Sequence, residues 1–266
     1  MGLTLPPVPE MIEVENYRQQ AEAVVGRRIA EVEAPDAWFV KGGEPEELEA
    51  ALPGRTVEAA RRIGKLLVLD LDDGGRLGLR FGMTGRLIVD GTASIEKLQY
   101  SSMRAEPQWD RFRMVFDDGT DLRIRDPRRL GGVALEPDES ALGVDALALS
   151  PETLAKALDD SVTALKARLM DQARIAGIGN LIADEVLYRA GLDPARPARS
   201  LAPEEVATLA AEVVATIRDM SARGGSHVGE MRAAVAVDGL CPRDGTPLRR
   251  RRIGGRTTFD CPHHQT

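Results

Sequence analysis

Apolar residues recur at every third or fourth position from Glu10 to Ala30, as Met11, Val14, Tyr17, Ala21, Val24 and Val25. That spacing predicts a single amphipathic helix across the stretch. From residue 64 the period shortens. Residues 65–71, 78–81 and 86–89 read as short strands, with Asp72-Asp73-Gly74-Gly75 as a hairpin turn. Residues 111–116 and 121–125 predict a second hairpin around Asp117-Asp118-Gly119. Near Pro137 the texture turns helical: 151–159, 161–173, 179–190 and 203–222 each carry helical periodicity, with Ser150, Asn180 and Gly191 as capping residues. The last piece, 238–266, has a strand–turn–strand rhythm. The pattern therefore predicts an α+β chain, a helix and an antiparallel β domain followed by a helical half, divided near residue 140.

The chain has 266 residues, 43% hydrophobic and 29% charged, enough for a sizeable core. No apolar run approaches the roughly 18 residues of a membrane span, and the opening residues lack the basic and apolar regions of a signal peptide. A cytoplasmic protein with no membrane association is expected. The net charge of −7 argues against a uniformly basic nucleic-acid binder. The charge is unevenly spread: residues 1–60 hold 12 acids and 5 bases, whereas 241–258 hold six arginines and one aspartate. A ligand feels the local field, so a basic face can coexist with an acidic total.

Cys241 and Cys261, the only two cysteines, and two of the three histidines, His263 and His264, fall in the last 26 residues. Cys241-Pro-Arg-Asp244 and Cys261-Pro-His-His264 are two knuckles with candidate ligands at i and i+3, separated by a hairpin. That arrangement can close a tetrahedral Zn²⁺ site. The candidate ligands are Cys241, Asp244, Cys261 and His264, with His263 as the alternative histidine; free buried cysteines in a small hairpin are the competing reading. The metal would be structural, because no ligand position is left open for chemistry. Between the knuckles runs Arg249-Arg250-Arg251-Arg252-Ile253-Gly254-Gly255-Arg256. On a hairpin these side chains alternate between faces, and phosphate contact is the expected use of so dense a charge.

Residues 161–190 predict two helices joined by a turn with Gly177 and Gly179, Asn180 capping the second. Glycines permit close backbone approach, and the free N–H groups at a helix start favour an anion.

Taken together, these segments resemble the formamidopyrimidine-DNA glycosylase/endonuclease VIII family nearly end to end. Pro9-Glu10-Met11-Ile12-Glu13-Val14-Glu15 is similar to the family's N-terminal PELPEVE, Arg62-Ile-Gly-Lys65 to its basic strand entry, and Phe81-Gly-Met83-Thr84-Gly85-Arg86-Leu87 to LGMSGxL. Asp126-Pro127-Arg128-Arg129-Leu130-Gly131 resembles DPRRFG, Asp171 to Asn180 the helix–two-turn–helix, and the tail the zinc hairpin. The resemblance implies an N-terminal antiparallel β-sandwich with a leading helix over 1–140, a helix–two-turn–helix domain over 141–235, and a β-hairpin zinc finger over 236–266. It also implies a monomeric repair enzyme acting on double-stranded DNA that carries oxidised bases or abasic sites. A terminal proline amine displaces the base and leaves an iminium that drives β,δ-elimination. By the same resemblance Pro9 is the nucleophile and Glu10 the general acid/base. Met83 and Arg128 fill the space of the everted base. Lys65, Asn180 and Arg256 hold phosphates, Lys166 joins the DNA-binding set, and Lys65 is the alternative amine for catalysis. For Met83 the other reading is a core residue, and for Arg128 a partner of Asp126.

The chain departs from the pattern in four places. Pro9 follows eight residues, so its nitrogen is an amide; a start at the codon of Val8, which can be GTG, would free it, and 30 arginines against 5 lysines fit a GC-rich genome. Leu130 stands where the family has phenylalanine, and Ile12 replaces a proline. Only sixteen residues separate Gly224 from Cys241, which leaves little loop to cap an oxidised purine. Asp244 and His264 replace cysteines. The leading expectation is excision of 8-oxoguanine and formamidopyrimidines, the alternatives being oxidised pyrimidines or non-catalytic binding if Met1 is the true start.

Overall fold

A computed structural model describes residues 8–102, 104, 106–159 and 161–266; residues 1–7, on which the question of the start bears, lie outside them. The described residues form two compact units, 8–139 and Ser140–Thr266.

The first unit contains α1 (Met11–Ala21), β1 (Ile29–Glu33), α2 (Pro45–Ala51), β2 (Val57–Ile63), β3 (Leu66–Leu71), β4 (Arg76–Arg80), β5 (Arg86–Val89), β6 (Asp110–Phe116), β7 (Asp121–Arg125) and β8 (Gly132–Leu135). The strands make two four-stranded antiparallel sheets, ordered β1-β6-β7-β5 and β2-β3-β4-β8. Leu67, Leu69, Leu77 and Leu79 of one sheet share a continuous core with Ile29, Leu87, Phe112, Met114 and Ile124 of the other, joined by Tyr17 from α1. This is a β-sandwich with a leading helix.

The helix expected over 10–30 stops early. After α1 the chain makes a short 3₁₀ turn, Glu22–Val24, and leaves through Gly26 at φ 83°, whose N–H bonds to the Val57 carbonyl at 2.8 Å. The strands β1, β2 and β8 and the helix α2 were not expected. Both β1 and β2 carry a bulge, between Ile29 and Glu31 and between Val57 and Ala59, which breaks the two-residue alternation that marks a strand. The sequence of β2, Val-Glu-Ala-Ala-Arg-Arg-Ile, is also rich in helix formers, and sheet pairing overrides that preference.

The second unit contains β9 (Val144–Asp145), α3 (Pro151–Leu158), α4 (Leu165–Leu169), β10 (Ile175–Ala176), α5 (Asn180–Ala190), α6 (Pro203–Ala222), α7 (Glu230–Val237), β11 (Arg249–Ile253) and β12 (Arg256–Asp260). Ser150 caps α3 by accepting from the Thr153 N–H at 3.2 Å, and Gly191 closes α5 in the left-handed conformation at φ 70°. The helix expected over 161–173 shrinks to α4. The N–H groups of Leu165 and Lys166 bond to the carbonyls of Arg196 and Pro194, at 2.7 and 3.1 Å, instead of to a preceding helical turn. Asn180 is not the cap of α5: Gly179 occupies that position and Asn180 is the first helical residue. No helix among the described residues is long and apolar enough to cross a membrane.

Candidate nucleic-acid interface and metal centre

In the first unit, two loops named by the motifs are held as a pair. Asp126 is fully buried. One of its carboxylate oxygens accepts the N–H groups of Leu130 and Gly131, at 2.9 and 2.8 Å; the other accepts the N–H of Arg128 at 3.1 Å and the Thr84 hydroxyl. The loops also touch at Gly82, which has φ 55° and where a Cβ would lie 2.5 Å from the Leu130 carbonyl carbon. Such a carboxylate, saturated by backbone donors and one hydroxyl, fixes the loop without neutralising a side-chain charge. The Arg128 guanidinium is accordingly exposed, with no hydrogen-bond or ion-pair partner among the described residues. Met83 is half-buried on the neighbouring loop and is not a core residue. Arg129 turns away at φ 56° to pair with Asp36 at 2.5 Å, and Leu130 is 47% exposed.

Pro9 and Glu10 are buried at the head of α1, where Glu13 accepts the Glu10 N–H at 2.9 Å. The helix is tied to the loop of Met83 through the Tyr17 hydroxyl, which donates to the Gly85 carbonyl at 3.2 Å, and through the Tyr17–Phe81 ring contact at 4.5 Å. Burial, reinforced by Glu13, pushes the Tyr17 phenol well above its usual range and keeps it a neutral donor. Arg62 joins α1 to the end of β2 by donating to Glu15 at 3.2 Å. Lys65 follows Gly64 in the β2–β3 turn and is half-buried.

In the second unit the turn before α5 is built around Gln172. Its amide donates to the carbonyls of Met170 and Ile178, at 2.8 and 2.9 Å, and accepts the Gly177 N–H at 3.0 Å. Gly177 sits at φ 115°. Asn180 follows on the first turn of α5, its side-chain oxygen buried without a hydrogen-bond partner.

Lys166 does not fit the DNA-binding role expected for it. It is fully buried, pairs with Asp184 of α5 at 2.6 Å, and donates to the Thr258 hydroxyl and the Thr257 carbonyl of β12 at 2.8 and 3.3 Å. It joins α4, α5 and the hairpin from within, its ammonium group engaged by Asp184 and β12.

The arginine run divides by face. Asp260, fully buried on β12, accepts from Arg249 and Arg251 at 3.0 and 2.9 Å, and Asp193 pairs with both. These two arginines are therefore neutralised within the chain, and phosphate contact is left to the others, in line with the expectation that only some of the run reaches a polyanion. The guanidinium groups of Arg250 and Arg256, by contrast, belong to exposed residues and make no hydrogen bond or ion pair among the described residues.

Cys241, Asp244, Cys261 and His264 bring one ligand atom each to within 4.8 Å of one another. A tetrahedral ion with bonds of about 2.0–2.3 Å places its ligand atoms roughly 3.3–3.8 Å apart. Cys241 Sγ to His264 Nδ1 is 3.5 Å, Cys261 Sγ to Asp244 is 3.6 Å, and His264 Nδ1 to Asp244 is 3.9 Å. The group is compatible with a structural metal. His264 is held edge-on against Tyr188 at 5.0 Å, whereas the His263 side chain is 73% exposed and pairs with Asp244 at 2.8 Å. Tyr188, Met231 and both cysteines form one small core, with Arg243 over the Tyr188 ring at 4.8 Å.

Several working residues were not singled out from sequence. Asp126 entered only as a partner for Arg128, although an aspartate ahead of a Pro-x-x-x-Gly turn is well placed to collect the turn's own N–H groups. Asp184 had a sharper signal: it follows Leu181-Ile182-Ala183 and is buried on α5, and an acid among apolar residues asks for a cation. Asp260, Asp193 and Gln172 carried no distinguishing pattern.

Two family models match the chain: the formamidopyrimidine-DNA glycosylase N-terminal domain over residues 8–133 and the formamidopyrimidine-DNA glycosylase H2TH domain over 142–231. The chain is 36% identical over 283 residues to the formamidopyrimidine-DNA glycosylase of Geobacter metallireducens, covering 97% of this chain and 100% of that one. It is 34% identical to the enzyme of the same name from Paracoccus denitrificans, covering 96% and 99%. A solved structure of Lactococcus lactis Fpg in complex with DNA containing an abasic site shares the fold, with a TM-score of 0.80 at 24% identity over 97% of this chain and 99% of that one. The chain belongs to the formamidopyrimidine-DNA glycosylase family.

Proposed function

We propose that this protein is a DNA repair glycosylase with abasic-site lyase activity, acting on double-stranded DNA that carries oxidised bases or abasic sites. The observation that carries the reading is the loop pair of the first unit, in which Asp126 binds backbone N–H groups and the Thr84 hydroxyl and leaves the Arg128 side chain unpaired, with Met83 on the adjoining loop. An exposed cation and a flexible apolar side chain on rigid loops suit a site that must fill the gap left by an everted base.

In this mechanism the secondary amine of Pro9 attacks the anomeric carbon, the base departs, and the resulting iminium accepts electrons during successive β- and δ-elimination. Glu10, adjacent in the chain, moves the proton on and off the opening sugar. Lys65, Asn180 and Arg256 hold the phosphates around the lesion. With Val8 attached, the Pro9 lone pair is delocalised into the peptide bond, so this chemistry requires a form in which Pro9 is the first residue. The match of the first family model from residue 8 supports that reading. Cys241, Asp244, Cys261 and His264 would hold one Zn²⁺, which supplies a structural cross-link. The working division is 1–140 for catalysis, 141–235 for the helix–two-turn–helix and 236–266 for the hairpin. The enzyme acts as a monomer on the nucleoid in the cytoplasm.

8-Oxoguanine and formamidopyrimidines are the first substrates to test. Oxidised pyrimidines come second, because α7 takes up eight of the residues between Gly224 and Cys241 and leaves little loop to cap a purine. The deciding experiment is borohydride trapping on abasic-site DNA with chains beginning at Pro9 and at Met1. A covalent adduct is expected only from the first. Adducts from both chains would move the chemistry to a lysine such as Lys65, and DNA binding without any adduct would leave a binding protein.

A further inference from the structure

The segment between α6 and the metal hairpin carries two side chains that the reading above does not use. His227 lies in a short 3₁₀ turn, Ser226–Val228, and Arg232 in the first turn of α7. His227 Nδ1 and Arg232 Nε and Nη2 are all shielded from solvent and have no hydrogen-bond partner among the described residues. Buried donors on a charged group are strongly disfavoured without an acceptor, and such a group invites a ligand.

The carboxylates of the surrounding elements are engaged elsewhere. Glu185 accepts the Met231 N–H at 3.0 Å and Arg189 at 2.9 Å. Asp219 holds Arg189 and Arg223, both at 2.7 Å; Glu230 faces Arg189 at 4.0 Å, and Asp238 accepts the Leu240 N–H at 2.9 Å. The backbone between the two residues is also fixed, since a Cβ on Gly229 would lie 2.6 Å from the Glu185 carboxylate. Burial, and then the nearby charge of Arg232, holds the His227 imidazole below its ordinary range, so the pair presents one guanidinium and one neutral ring.

We propose that Arg232 and His227 form a phosphodiester-binding site, in which the Nε–Nη2 edge of Arg232 takes two phosphate oxygens side by side and His227 Nδ1–H donates to the same group. The proposal rests on the reading of the chain as a DNA enzyme and adds a backbone contact to those assigned to Lys65, Asn180 and Arg256. An anion is favoured over the edge of a base because the guanidinium lacks a counter-charge, which a base does not bring. The parallel fork matches phosphate geometry.

The test is equilibrium binding of the full chain to an undamaged duplex and to one carrying a tetrahydrofuran abasic analogue, across roughly 50–200 mM salt, with folding followed by circular dichroism and melting. Arg232→Ala is expected to weaken both duplexes alike, by roughly tenfold, and to reduce the slope of log K against log salt by about 0.9, one phosphate contact. Arg232→Lys should keep the slope and recover only part of the affinity, since an ammonium offers no parallel pair of donors. His227→Ala should give a smaller loss at unchanged slope. Unchanged binding by Arg232→Ala, with wild type binding normally, overturns the site but not the DNA reading. A loss confined to the damaged duplex at unchanged slope overturns it in favour of a base contact, and a large fall in melting temperature for Arg232→Ala overturns it in favour of a structural role. If the wild-type chain binds neither duplex, the DNA reading itself fails.

Discussion

The Asp126 loop and the arginine hairpin set guanidinium groups beside fully buried aspartates, yet the two regions leave their arginines in opposite states. Asp126 accepts three backbone N–H groups and a hydroxyl, and Arg128 stays free. Asp260 accepts from Arg249 and Arg251, and the charge cancels inside the chain. The sequences give little hint of this difference, because both are runs of arginine near an aspartate. What separates them is local geometry. A turn directs its own N–H groups at the preceding aspartate, whereas an antiparallel hairpin sets Asp260 directly opposite Arg249 and brings long side chains across the strand to it. Charge density is therefore a poor guide to a binding face until the partners of each carboxylate are known.

The comparison breaks most sharply at its buried acids and at Lys166. Asp126→Ala would strand several N–H groups at once, and a loss of about 3–5 kcal/mol is expected, together with loss of strand cleavage. Lys166→Met should cost a similar amount, because the buried Asp184 carboxylate would lose its ammonium partner. Denaturant midpoints at constant m-value check both. If Lys166→Met instead left stability intact and weakened DNA binding, the buried assignment would be wrong.

A smaller effect separates the free arginines from the neutralised ones. Arg128→Ala is expected to weaken binding to an abasic-site duplex by roughly tenfold or more with stability nearly unchanged. Arg249→Ala should do the reverse, lowering stability while hardly altering affinity. Asp193→Ala would release part of the hairpin's charge, so its affinity for undamaged DNA should rise and its salt slope steepen by up to about 0.9. Filter binding across a salt series reads all three, and a slope unaltered in Asp193→Ala would show that the released arginines do not reach phosphate.

The uneven legibility of the chain follows the same division between local and long-range causes. The helices α3, α5 and α6, the hairpin β3–β4 and the knuckles Cys241–Asp244 and Cys261–His264 announce themselves through periodicity, turn residues and ligand spacing, all set by neighbours in sequence. The strands β1 and β2 do not, since a bulge shifts the phase of each. Helix α4 was overestimated because its first N–H groups find partners some thirty residues away, at Pro194 and Arg196. Asn180 lies inside a matching motif and Lys166 a few residues ahead of it, but burial is a property of the whole unit, and only the fold distinguishes a buried lysine from a phosphate contact. Arg128 could be nominated from its motif, whereas its freedom from Asp126 follows from the three N–H groups that the Pro-x-x-x-Gly turn aims at that carboxylate.

A third arginine–acid cluster, at the surface of the first unit, shows the effect of solvent exposure. Arg61 pairs with Asp70 at 2.7 Å and with Glu139 at 2.6 Å, while Arg76 pairs with Glu136 at 2.8 Å and with Glu139 at 3.1 Å. The hydrogen bonds from Arg61 hold the Glu139 carboxyl below the ordinary glutamate range. A carboxylate with a depressed folded-state pKa stabilises the protein above its unfolded value, near 4.3, and that contribution disappears as pH falls through the folded value. Glu139→Gln should therefore melt lower than wild type at pH 7, and the difference should close below pH ~4. Because water screens the pairs, the gap at pH 7 is expected to be only about 1–3 °C and to narrow further in high salt. A gap as large as that for Asp126→Ala would mean that exposure does not separate these clusters, and a gap that widened in acid would give Glu139 the opposite sign.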